Sequence, residues 1–199
     1  MPNRRVPAPD LPVPFGYKCG WFAVHSTDSD AIMHAFGLQQ PKPSTWSAGI
    51  AAAYKNKVFL TPPVKEWSLL VALHWLSLLD REPGKVVGLA LRVLSKQLGE
   101  VQMFVTYRVP EYHLWALGRA GRLLRGYCYI GEIIETVWNE GRPTAVEQQV
   151  GPFDEDNWRD EESVMKVAAR WSINPCELDQ LITEPGLGVL CTPPATLPA

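Results

Sequence analysis

A chain of 199 residues, 46% hydrophobic and 20% charged, has the ordinary composition of one globular domain or two small fused halves. Its longest apolar run, residues 67–79, contains His74 and is shorter than the roughly 20 residues that span a bilayer, which excludes a membrane helix. The net charge of −2 conceals a polarity: residues 1–131 carry 15 Lys/Arg against 8 Asp/Glu, and residues 132–199 carry 4 against 13.

Residues 1–16 read as an extended arm, because Pro2, Pro7, Pro9, Pro12 and Pro14 forbid a regular ladder. The arm has no apolar signal core, and the four cysteines show no CxxC spacing, so the chain is expected to be cytoplasmic and reduced. A strand follows over 17–25. Thr27 and Asp30 fit a capping box for a short helix over 28–36, with Gly37 at its end. Residues 46–54, 57–61 and 66–74 read as strands, broken by Lys55-Asn56 and Pro62-Pro63. Val87, Leu91, Leu94 and Leu98 recur at helical spacing, which predicts a helix over 83–98 stopped by Gly99.

Residues 101–108 read as a strand, and Pro110 as the first helical position of a helix over 110–117 closed by Gly118. Candidate strands occupy 122–130 and 133–138. Strand, short helix and strands therefore occur twice, a weak internal repeat with halves 17–82 and 83–150; an ordinary α+β succession reads the same way. Asp160 caps a helix over 161–171, and Asn174-Pro175 starts another over 175–182, which together predict a C-terminal helical hairpin. Residues 186–199 read as an irregular tail. The expected fold is α+β: an antiparallel or mixed sheet with short helices, a single domain over 17–185.

Several chemistries are weighed and set aside. The second helix of the pair carries Glu177 and Asp179 with no Lys or Arg, so phosphate repulsion opposes a helix-turn-helix role and direct nucleic-acid contact. His25, His34, His74 and His113 form neither HxH nor HExxH, and no Gly-rich phosphate loop is present, so no metal or cofactor is expected. Arg108, Glu111 and His113 form the best catalytic-looking group, with Tyr107, Tyr112 and Arg125 nearby. Glu111 and His113 lie two apart, however, and would diverge on a helix. Arg119, Arg122 and Arg125 could hold a phosphate or pair with the acidic segment, and the second reading is favoured because the charges nearly cancel.

The acidic segment is the sharper feature. Glu132, Glu135, Asp154, Glu155, Asp156, Asp160 and Glu161 surround Trp158, and a carboxylate rim with an aromatic anchor suits a basic protein partner. Simple solvation of a charged loop is the alternative. Most of the eight tryptophans are read as core fillers.

Three segments, WSAGIAAAYKNKVFLTPPVKEWSLLVA, FVTYRVPEYHLWALGRAGRLLRGYCYIGE and ESVMKVAARWSINPCEL, resemble a group of largely uncharacterised bacterial proteins. That group is associated with neighbourhoods encoding secreted or injected toxins, where small cytoplasmic proteins act as immunity partners. The resemblance spans roughly residues 17–185 and brings no catalytic motif. It implies a binding role: neutralising a cognate toxin, a nuclease effector first, by steric occlusion. The rival readings are an enzyme or small-ligand binder built on Arg108, Glu111 and His113, and a structural subunit whose arm packs on a neighbour.

Overall fold

Most strands of this chain are continuous apolar runs rather than alternating ones, because the sheet they form is covered on both faces. The computed structural model describes residues 6–77, 82–149 and 160–199. In chain order the strands are β1 (Cys19–Val24), β2 (Gln39–Thr45), β3 (Val58–Leu60), β4 (Ser68–Ala72), β5 (Glu100–Tyr107), β6 (Tyr112–Arg119), β7 (Arg122–Ile130), β8 (Glu135–Glu140) and β9 (Leu187–Thr192). They form one antiparallel sheet in the order β2-β9-β3-β4-β1-β5-β6-β7-β8. The helices are α1 (Ser29–Ala35), α2 (Trp46–Ala53), α3 (His74–Ser77), α4 (Pro83–Leu98), α5 (Ala145–Gln149), α6 (Glu161–Trp171) and α7 (Leu178–Leu181).

The period-2 geometry of a strand divides the core into two layers. Phe22, Leu70, Met103, Leu114 and Cys128 face the side covered by α1, α3 and α4. Trp21, Val71, Phe104, Trp115 and Tyr129 face the side covered by α2, α5, α6 and α7. Trp21 stacks on Phe104 at 5.2 Å, and Trp115 on Tyr127 at 4.5 Å, so tryptophan fills the core as expected.

Helix α4 matches its sequence pattern, burying Val87, Leu91 and Leu94 and ending at Gly99 with φ +86°. In α1 the cap is Asp28, one residue beyond the expected Thr27: its carboxylate accepts the Ala31 amide at 2.9 Å. Gly37, at φ +64°, ends that helix, with its own amide bonded to His34 and that of Leu38 to Met33.

Four expectations are corrected. Residues 46–54 form helix α2 rather than a strand. Thr45 caps it through the Ala48 amide at 3.2 Å, and Asp10, reaching over from the arm, accepts the amides of Trp46 at 2.5 Å and Ser47 at 3.0 Å. Residues 110–117 do not form a helix: residues 108–111 make a tight turn, Glu111 N bonding Arg108 O at 3.2 Å, and β6 pairs along the whole of β5. The strand–helix pattern of the first half is therefore not repeated in the second. The C-terminal helical hairpin is absent. After α6 the chain makes a 3₁₀ turn over Pro175–Glu177, whose last residue, Glu177 at φ −114°, breaks the helical geometry before the single turn of α7. Finally, the C-terminal segment is not wholly irregular: Leu187–Thr192 is β9, inserted between β2 and β3. The edge strand β2, unforeseen, carries Pro41 and Pro43, residues tolerated where one side of a strand has no neighbour.

Candidate binding face

The polar residues singled out in the sequence sort themselves by strand direction. Tyr112 and His113 are consecutive on β6 and so point to opposite faces. Tyr112 and Tyr107 join the core layer under α4, whereas His113 lies on the α6 side. Arg125 is elsewhere again. It is 2% exposed, and its Nε donates to Glu147 Oε1 at 2.7 Å. Its Nη1 donates to Asn139 Oδ1 at 2.7 Å and Glu140 O at 3.0 Å. Glu147, 3% exposed, also accepts Trp115 Nε1 at 2.9 Å and the Thr144 amide at 2.8 Å. This is a fully bonded buried ion pair that fastens α5 to the sheet. Arg119 pairs with Glu100 at 2.7 Å, and Arg92 with Glu140 at 2.8 Å. Of the expected arginine patch, Arg125 is thus engaged by the acidic half of the chain.

Arg108, Glu111 and His113 do converge, and with the acidic segment rather than alone. They line an open depression of about 550 Å³ together with Asp160, Glu161 and Glu162 from the first turn of α6, beside Tyr17. Arg108 Nη2 donates to Glu161 Oε2 at 2.7 Å, and this contact raises the guanidinium pKa. Asp160 caps α6 as expected, accepting the Ser163 amide at 2.8 Å. His113 is 3% exposed; burial lowers its pKa, with Glu161 and Asp160 pulling the other way. Asp154, Glu155, Asp156 and Trp158 lie outside the described residues.

Glu132 and Glu135 sit at the same end of the sheet and are exposed. The 3₁₀ turn over Gly131–Ile133 is fastened to the β5–β6 turn by Gly131 N to Glu111 O at 3.1 Å and Glu132 N to Pro110 O at 3.2 Å. The two joined turns carry the apolar residues that the sequence reading missed: Val109, Ile133 and Ile134, exposed by 76, 56 and 68%. Their only sequence signal is β-branched residues near Pro110 and Gly131, in turns that leave them exposed. Ile134 and Glu111 also hold φ of +55° and +51°. A β-branched residue in the left-handed region is strained, and such strain collects at functional sites.

Chemically, this end of the molecule offers an apolar patch, a rim of carboxylates and one depression. Among the described residues, no group of three or more His, Cys, Asp or Glu is placed to hold a metal ion. No helix among them is long and apolar enough to cross a membrane. Comparison with protein-family models, with curated proteins and with solved structures gives no match.

Proposed function

We propose that this chain is an immunity protein that binds a basic bacterial toxin, a nuclease effector first, and occludes its active site without chemistry of its own. The observation that carries the reading is the coincidence, on two joined turns and the neighbouring start of α6, of exposed Val109, Ile133 and Ile134 with Glu111, Glu132, Glu135, Glu161 and Glu162. An apolar patch with a charged rim is the anatomy of a protein-binding surface. A nuclease must hold an anionic substrate in an electropositive cleft, so carboxylates would both speed encounter and mimic the substrate. The protein would act in the cytoplasm, where such a toxin finds its nucleic acid. The enzymatic alternative is weakened because Tyr107, Tyr112 and Arg125 do not join Arg108, Glu111 and His113.

Co-expression with each toxin encoded beside its gene tests the reading. Survival of the host and co-purification of a stable complex are expected. No protection and no complex with any of them would sink it.

A further inference from the structure

We propose that the depression between the β5–β6 turn and the first turn of α6 is an arginine-accepting site, taking a guanidinium group of a protein partner against Glu161, Glu111 and His113. The inference rests on the binding reading above and adds the chemical group received and where it goes.

The carboxylates of this depression are not equivalent. Asp160 is committed to its cap, accepting Ser163 N at 2.8 Å and Ser163 Oγ at 2.9 Å. Glu162 pairs along the helix with Lys166 at 2.9 Å. Glu161 is half used: its Oε2 accepts Arg108 Nε at 3.1 Å and Nη2 at 2.7 Å, while its Oε1 is buried and has no hydrogen-bond partner among the described residues. Glu111 is exposed and pairs with no cation among the described residues. Among the described residues, Arg108 is the single cation in the lining, against four carboxylates.

His113 points to a ligand independently of the acids. It lines the depression, is almost wholly buried, and its Nδ1 has no hydrogen-bond partner among the described residues. Burial favours the neutral imidazole, which always has one accepting nitrogen. Buried polar atoms without partners are costly, and here two of them, Glu161 Oε1 and His113 Nδ1, belong to residues that line one space; Nδ1 is an acceptor in the tautomer that carries its proton on Nε2. What satisfies them must bring several N–H donors, positive charge and no acceptor. A guanidinium does this with five donors in a planar fork, whereas an ammonium is a more strongly hydrated point charge. Tyr17 adds an aromatic ring to the same lining, a surface on which guanidinium stacks well.

The test titrates the full ¹³C,¹⁵N-labelled chain with N-acetyl-arginine N-methylamide, reading the His113 imidazole and the Glu161 carboxylate by NMR. The citrulline analogue, similar in shape and uncharged, is the control. Saturable shifts at both residues with arginine, and none with citrulline, are expected. Glu161→Gln and, as a second variant at an exposed position, Glu111→Gln should each weaken binding about tenfold with unchanged circular dichroism. Glu184→Gln, on an exposed residue away from the depression, should bind as the parent does. Shifts scattered over surface carboxylates without saturation, or undiminished binding by both Gln variants, would overturn the site. The immunity reading fails separately. If the arginine probe binds but no toxin is neutralised, the site stands and that reading falls. If the double Gln variant neutralises a toxin with unchanged affinity, the site falls and the reading stands.

Discussion

Replacing Glu147 by Ala should be among the most damaging single changes in this chain. Arg125 would remain charged and 2% exposed, keeping carbonyl and amide partners but losing its counter-ion. The Trp115 indole N–H and the Thr144 amide would lose their acceptor in the same step. Removing one member of a buried ion pair costs about 3–5 kcal/mol, a large fraction of the ~5–15 kcal/mol by which domains are stable. At roughly 2–4 °C per kcal/mol for a chain of this size, the midpoint should fall by about 6–20 °C. Urea unfolding of Glu147→Ala, Arg125→Met and the double variant supplies the assay. The double variant should be more stable than the sum of the single losses by more than ~1 kcal/mol, since it leaves no orphaned charge. A Glu147→Ala loss below about 1 kcal/mol, or strict additivity, would refute the claim that this pair fastens α5.

Asp10 caps α2 from the arm; burial raises its pKa, but hydrogen bonds from the Ser47 hydroxyl and the Ser47 and Trp46 amides outweigh this and lower it below 3.8. Its contribution, about 1 kcal/mol for a capping carboxylate, should be present above the unfolded value near ~4 and vanish as pH falls through the lower folded value. The stability gap between the parent and Asp10→Asn should therefore close on acidification, and a gap independent of pH would contradict the assignment. Burial pushes the thiols of Cys19 and Cys128 up to about 12, so in the native protein iodoacetamide should label neither, whereas both react after unfolding. Rapid native labelling of either, followed by mass spectrometry, would disprove their burial. Ile134→Asn should raise the melting midpoint by a few degrees, because Asn tolerates the left-handed conformation that costs Ile about 1–2 kcal/mol, yet weaken partner binding. A lower midpoint would show that the exposed Ile134 side chain stabilises the fold.

How much of this was legible in the sequence depended on how each segment is buried. Helices α4 and α6 were readable because each has one apolar stripe, with a capping carboxylate before α6 and a glycine stop after α4. Residues 46–54 and 110–117 were misread in opposite directions for one reason. A strand covered on both faces and a short buried helix both appear as continuous apolar runs, and periodicity cannot separate them. What decides between them is distant: Asp10 completes the start of α2, and β5 supplies the ladder for β6. The site was legible in parts. Arg108, Glu111 and His113 stood out as polar residues in an apolar stretch, and Glu161 as part of an acidic run. Nothing local says that groups about fifty positions apart meet. Val109, Ile133 and Ile134 were invisible because an apolar residue is assigned to the core by default.

The charge polarity separates into two populations with different physical roles. Glu140, Glu147 and Glu161 reach back across the sheet to Arg92, Arg125 and Arg108, so part of the excess joins the two halves of the chain. Of these contacts only Arg125–Glu147 is buried on both sides, and exposed pairs contribute ~0–1 kcal/mol, so folding does not require the remaining acidity. Glu111, Glu132 and Glu135 form no ion pair among the described residues. The end of the molecule that carries them also holds two residues in the left-handed region and three large apolar side chains in solvent. Strain, solvated hydrocarbon and like charges each work against the folded chain in water. Polar side chains at 109, 133 and 134 would remove one of these costs without touching the core. Contact with the proposed basic, partly apolar partner would turn all three features to use: the hydrocarbon would be covered, the charges matched, and the turns already held in the shape they dock in.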